Sequence, residues 1–282
     1  HIAEHWPVGE DIVRPTDTGG SGFDATQNDG LREALRDAIR EAAAGSTSFV
    51  DMDRIARELG SPKLTDDWRA VQCSENHDIV YRDRGQRIPR LADGSDSRSW
   101  YARSRSRLAL GLTLTAPGIP HLFMGQEFLE DKQWHDEPGS PLQIWWDGLA
   151  NDPAMADFLR FSRELIGLRR DRPGLKGAGL NVFHVHNANR VLAVQRWVPG
   201  EGHDVVVVAS LSENSYHDYR LGFPSAGHWR EVFNSDVYDH WMNPWVSGNG
   251  GGIHATDQDM HGLPASASLT IPANGLLVFA RD

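Results

Sequence analysis

A change of pattern at Pro173-Gly174 constrains this chain more than any other feature. Beyond it, seven β-rich runs follow one another at residues 180–186, 190–197, 204–212, 219–223, 229–233, 268–272 and 275–282. Turn residues separate them and no helical pattern intervenes, which predicts an antiparallel β-sandwich over 178–282. Before the change, short apolar runs alternate with helical patterns, which predicts a parallel sheet over 1–177. The expected fold class is therefore α/β followed by all-β, in two domains.

Four segments of the first part read as helices. Residues 29–45 carry Leu31, Leu35, Ile39 and Ala42 at helical spacing, with Asp29 to cap the start and Gly45 to end it. Residues 52–59 form a shorter helix that stops at Gly60-Ser61-Pro62. Residues 97–114 would bury Trp100, Leu108 and Leu112. Residues 153–170 are amphipathic, with Asp152 as cap, Pro153 in first position, and Phe158, Leu159, Leu165 and Ile166 on one side. Two stretches, 70–73 and 118–128, carry the short apolar run of a buried strand that ends in polar residues.

Charge and cysteine content exclude several function classes. The net charge of −11 disfavours nucleic acid and suits a neutral ligand. Cys73 is the single cysteine, so one chain can build neither a disulfide framework nor a cysteine-based zinc site, and the cytoplasm is favoured. No apolar run is long enough to span a bilayer, so no membrane partner is expected. The opening residues HIAEHWPVGE have no signal-peptide character and no initiating Met, and the expectation is a piece of something longer. The glycine-rich stretch 247–252 lacks the Lys and following helix of a phosphate-binding loop and reads as a flexible loop.

Candidate chemistry gathers at strand ends. Asn76-His77-Asp78 puts an amide, an imidazole and a carboxylate at the C-terminal mouth of the parallel sheet, where catalytic groups sit in such folds. A capping Asp beside a solvated His explains the same triplet locally. Gly118-Ile119-Pro120, followed by Gly125-Gln126-Glu127, repeats the arrangement one helix later. Ile2-Ala3-Glu4 reads as a third strand end, or as a solvated terminal Glu. Trp134, Trp145 and Trp146 offer flat indole faces with one N–H each to a ligand, or pack the two parts together. His184 and His186 share a strand face as a metal pair or, as expected here, a solvated one. No dense carboxylate loop is present, and neither metal nor cofactor is expected.

Together these pieces resemble the α-amylase family of glycoside hydrolases and transglycosidases, whose fold is a (β/α)8 barrel followed by a β-sandwich. Glu4 matches the glutamate that closes the fifth barrel strand, and Asn76-His77-Asp78 the triplet that closes the seventh. Gly118, Pro120, Gly125 and Glu127 match the eighth-strand element. Gly22-Phe23-Asp24 also fits, although Gln27 stands where a Trp is usual. The runs PHLFMGQEF and IWWDGL are most similar to those of bacterial 1,4-α-glucan branching enzymes.

The resemblance implies that Glu4 is the general acid/base and Asp78 an ionised stabiliser of the cationic sugar. His77, Asn76, Trp134, Trp145 and Trp146 would contact an α-glucan. The family's nucleophilic aspartate lies on the fourth strand, ahead of the position that Glu4 occupies. The expectation is thus the C-terminal half of a barrel, from the end of strand five to strand eight, followed by the sandwich. Such a chain would be inactive alone, and would be marginally stable, aggregation-prone, or paired with a missing N-terminal half. A hydrolase of the same family and a non-catalytic glucan-binding protein are the alternatives.

Overall fold

The fold comes from a computed structural model, which describes residues 1–281. Strands β1 (Ile2–Ala3), β2 (Ala25–Asn28), β3 (Ala70–Gln72) and β4 (Ile119–Pro120) form one parallel sheet in chain order. Between them run α1 (Glu10–Val13), α2 (Gly30–Ala43), α3 (Met52–Leu59), α4 (Ile88–Ala92) and α5 (Trp100–Thr115). Then follow α6 (Gly148–Asn151), α7 (Pro153–Asp171) and α8 (Pro173–Lys176).

β2 was not evident in the sequence, because Ala25-Thr26-Gln27-Asn28 has no apolar pattern. The sheet buries it by pairing its polar groups. Asn28 Nδ2 donates to Ser61 Oγ at 3.2 Å and to Gln72 Oε1 at 3.4 Å, and Gln72 Nε2 donates to Ser61 Oγ at 2.7 Å. β4 is shorter than the run around it. Pro120 has no N–H to give, and the last ladder-like bond is from the His121 N–H to the Gln72 carbonyl at 2.7 Å.

Two helix details depart from expectation. The Asp29 carboxylate does not cap α2, but accepts the Trp6 indole N–H at 3.0 Å. On α7, Ile166 is exposed, while Met155 and Phe161 join Phe158 and Leu165 in the core. Asp152 does cap α7, accepting the Ala154 N–H at 2.9 Å, with Pro153 behind it.

The remaining strands are β5 (Gly179–His186), β6 (Val191–Val198), β7 (Gly202–Ser210), β8 (Tyr216–Phe223), β9 (Gly227–Asn234), β10 (Gly252–Ala255), β11 (Ala265–Ile271) and β12 (Leu276–Ala280). Six form a sheet in the order β10-β9-β12-β7-β6-β5, and β11 pairs with β8 in a second, two-stranded sheet. All these pairings are antiparallel. The loop before β10 is pinned: Asn249 Nδ2 donates to Glu231 at 2.7 Å, and its Oδ1 accepts the Thr270 N–H at 2.7 Å.

β7 explains the layering. Val205, Val207 and Ala209 belong to a core shared with α2, α3, α5 and α7. Val206 and Val208 belong to a second core shared with Leu221, Phe223, Leu269 and Ile271. Both faces of the strand are buried, which is why 205–209 is continuously apolar. The Phe161 ring of α7 lies 5.6 Å from that of Phe233 of β9, tilted by 55°, so aliphatic and phenyl groups, not Trp134, Trp145 or Trp146, join the helices to the large sheet.

Arginines tie the layers by capping carbonyls. Buried Arg196 donates to Gly179 O at 2.9 Å, to Gly177 O at 2.6 Å, and to Thr115 O. Arg169 donates to the carbonyls of Leu114, Ala116 and Gly118 at 2.6–2.9 Å. A guanidinium spreads five donors over a rigid plane, which the single nitrogen of Lys cannot do. Burial pushes the Arg196 guanidinium down to about 9 and that of Arg169 down to about 10. No helix among the described residues is long and apolar enough to cross a membrane.

Candidate active site

β1 and β3 flank β2 in parallel, so the residues that follow each emerge at the same edge of the sheet. Glu4 comes directly after β1. His77 and Asp78 come from the turn after β3. The structure brings the three together: one ligand-type atom from each lies within 4.8 Å of the others, and all three residues are exposed. His77 Nε2 stands 3.6 Å from Asp78 Oδ1. A divalent cation could use the same donors, while the family resemblance gives them to a sugar.

His121, which sequence reasoning did not single out, also belongs here. It follows β4, and both Glu4 and His77 act on its charge. Burial holds its imidazole below the ordinary histidine value, and His77 lowers it further against the pull of Glu4. Its Nδ1 is buried without a hydrogen-bond partner among the described residues. Only its position just past a strand end marked it in the sequence.

The turn that carries His77 and Asp78 is built from beneath. Glu75 and Arg87 are each 1% exposed and pair at 2.7 Å, and the second Glu75 oxygen accepts the Ile88 N–H. Arg87 also donates to Met124 O at 3.2 Å, which ties the β3 turn to the β4 loop. Gln126 Nε2 donates to Ser74 Oγ at 2.6 Å, a second tie between the same loops. Neither Glu75 nor Arg87 was suspected, since a charged pair 12 residues apart has no sequence signature.

The other predicted residues divide. Asn76 is 4% exposed and its Oδ1 accepts the Ile79 N–H at 3.0 Å, so its side chain holds the turn. Trp134 donates its indole N–H to the His77 carbonyl at 2.6 Å, and its ring meets Tyr81 edge-on at 5.3 Å. Trp145 and Trp146 are exposed. The Trp145 backbone is anchored to Glu130 at 2.8 Å and the Trp146 ring lies 5.3 Å from that of Phe128. No hydrogen bond or ring contact among the described residues joins either to Glu4, His77 or Asp78. His184 and His186 stack at 6.2 Å; His186 is exposed as expected, while His184 is half-buried against Tyr219 and His261.

Residues 183–282 match a sequence family described as the C-terminal all-beta domain of alpha amylase. The chain is 30% identical to the 1,4-alpha-glucan branching enzyme GlgB of Rhodococcus jostii (strain RHA1), over 98% of this chain and 37% of that protein. It is also 30% identical to the enzyme of the same name from Burkholderia thailandensis, over 98% of this chain and 31% of that one. It thus spans about a third of the length of these curated relatives. Among solved structures, an alpha-amylase from Geobacillus thermoleovorans complexed with acarbose matches 100% of this chain and 53% of its own, with a TM-score of 0.65 and 18% identity. A pullulanase from Anoxybacillus sp. LM18-11 complexed with maltotetraose matches 92% of this chain and 35% of its own, with a TM-score of 0.61 and 20% identity. Those two likenesses concern the fold. Residues 183–282 thus carry the C-terminal all-beta domain of alpha amylase, and the chain as a whole is similar to branching enzymes along nearly its entire length.

Proposed function

We propose that this chain is part of a 1,4-α-glucan branching enzyme, which cuts an α-1,4 bond and rejoins the piece through an α-1,6 bond. Residues 1–177 are then half of a (β/α)8 barrel, with β1 to β4 as its fifth to eighth strands. Residues 178–282 are its sandwich domain. The observation that carries the reading is the convergence of Glu4, His77 and Asp78 within 4.8 Å at one edge of the parallel sheet. The branching-enzyme relatives and the two oligosaccharide-type complexes among the structural likenesses support it.

Cleaving a glycosidic bond needs an acid on the leaving oxygen and an anion near the oxocarbenium-like carbon. Glu4 supplies the proton and later removes one from the incoming sugar hydroxyl, a role that contributes about 10²–10⁴ in rate. Asp78 stays ionised beside the developing cation. His77 donates to a hydroxyl of the same ring. A retaining reaction also needs a nucleophilic carboxylate about 5–5.5 Å from the acid. In this reading that group comes from the fourth strand, outside the 282 residues, so the chain alone does not turn over. It acts on a neutral α-glucan, needs no metal or cofactor, pairs with the missing half, and works in the cytoplasm.

Two experiments test this. Calorimetric titration of the chain with maltohexaose should detect binding that falls about tenfold in His77→Ala and in Asp78→Asn, as expected for lost bonds to charged or strongly polar groups. No binding, or binding indifferent to both changes, sinks the proposal. The chain joined to an in-frame preceding segment that supplies the other strands, incubated with amylose, should form branch points without new reducing ends. Rising reducing ends mean hydrolysis.

A further inference from the structure

Beside the Glu4 cluster lies a cleft that shares Asp78 with it and extends away along α2. Its volume is about 320 Å³, and Trp6, Arg32, Arg36, Arg40, Asn76, Asp78, Ile79, Arg84 and Gly85 line it. Its wall thus holds four guanidinium groups and one carboxylate. Cavities of this size, about 300–1,000 Å³, take small ligands.

Three of the arginines recur every fourth residue along α2, an arrangement that repels itself on a helix surface. Acids offset part of this. Arg32 pairs with Glu33 at 3.2 Å, and Arg40 pairs with Asp37, which also holds Arg54. The other two make no ion pair among the described residues, although Glu33 and Glu75 act on Arg36 from a distance. Arg36 is 1% exposed, and its only side-chain bond among the described residues is from Nη2 to the Gln86 carbonyl at 2.6 Å. Its Nε and Nη1 are buried without partners. Glu75 acts on it from a distance, but that carboxylate is already engaged by Arg87 and the Ile88 N–H. Arg84 is exposed and makes no ion pair among the described residues. Arg36 is one of the residues lining the cleft, and its Nη2 packs close to Gly85, another of them.

A buried cation with two idle donors is costly unless an anion answers it. Guanidinium groups match phosphate oxygens in geometry and charge. We propose that this cleft seats a phosphomonoester dianion carried by a sugar, with the phosphate toward Arg36, Arg40 and Arg84 and the sugar toward Trp6 and Asp78. The sugar part of this inference rests on the glucan reading above; the anion seat does not. Two sources share the chemistry: a free sugar phosphate, and a glucose unit phosphorylated within a glucan chain.

The experiment titrates the 282-residue chain with inorganic phosphate, glucose 6-phosphate, maltohexaose and maltohexaose bearing one 6-phosphoryl group, by calorimetry and tryptophan fluorescence. All three phosphate-bearing probes should bind, and raising the salt about tenfold should weaken them but not neutral maltohexaose. The double variant Arg40→Gln/Arg84→Gln should weaken the phosphate-bearing probes about tenfold or more and leave neutral maltohexaose unchanged. Arg163→Gln, on the exposed side of α7, should change nothing, and thermal melting checks that each variant is folded. A phosphorylated maltohexaose tighter than glucose 6-phosphate identifies the glucan as the source; the reverse order identifies the free sugar phosphate. Failure of every phosphate probe, or binding unmoved by the double variant, overturns the seat even if neutral maltohexaose binds. Phosphate binding without maltohexaose binding keeps the seat and removes the glucan reading.

Discussion

Trp134 donates its indole N–H to the His77 carbonyl at 2.6 Å, across 57 residues of chain. The bond fixes the backbone of the residue that presents its imidazole to Asp78, and the Trp134 ring is in turn held by edge contacts to Tyr81 and Phe123. The indole therefore positions His77. Trp134→Phe keeps most of the ring contacts and removes the donor. The loss of one such bond is worth about 0.5–1.5 kcal/mol. Maltohexaose affinity should drop about three- to tenfold, with only a small change in melting temperature. Unchanged affinity with an intact fold rules out the positioning role.

The ion pair beneath that turn makes a harsher test. Glu75 and Arg87 are both sealed from water, so neutralising one strands the other. Breaking a buried pair costs about 3–5 kcal/mol. Glu75→Gln and Arg87→Met should each lower stability by that order in urea unfolding, and the double variant should lose less than the sum of the two. An additive double variant means the pair is not coupled.

The sequence revealed the parts of this molecule whose physics is local. α3, with its stop at Gly60-Ser61-Pro62, and α7, with Asp152 and Pro153 at its start, fold where spacing and capping place them. Glu4 could be matched because it directly follows a short strand, and His77 and Asp78 because they stand in the polar turn after one. What stayed hidden depends on partners far along the chain. In β2 the Asn28 amide bonds to Gln72 across the sheet and to Ser61 in the turn after α3. Asn76 looked like a ligand until its turn bond to Ile79 was visible. The abundance of Arg over Lys suggested nothing, yet Arg169, Arg190 and Arg196 each cap two or more distant carbonyls.

His184 gives the sandwich an acid-sensitive joint. Burial, with the charges of His261 and His186, pushes its imidazole down to about 4, while its Nε2 contacts the Tyr219 hydroxyl at 2.9 Å. In the unfolded chain it titrates near 6.5. Between about 4 and 6.5 the unfolded state therefore binds more protons, so stability rises with pH through that window and is level above it. Going from pH 7 to pH 5 should cost about 1 kcal/mol, a figure reduced from full linkage because the ring is partly open to water. His184→Gln should flatten this slope in melting curves recorded from pH 4 to 7. A variant as acid-sensitive as the parent assigns the effect elsewhere.

The open edges of the parallel sheet lead to the last prediction. β1 and β4 each pair on one side only, and each is two residues long. Ile2 on β1 is 54% exposed and Ile119 on β4 is 38% exposed. Unpaired edges that carry apolar side chains recruit other strands. If the remaining barrel strands normally cover them, the isolated chain should self-associate as its concentration rises in sedimentation velocity. Ile2→Lys/Ile119→Lys should shift it toward monomer, because a charge at an edge discourages pairing without touching the shared core of α2, α5, α7 and β7. The same substitutions should weaken association with any segment that adds strands to these edges. A parent chain that stays monomeric across that concentration range removes the reason to treat these edges as interfaces.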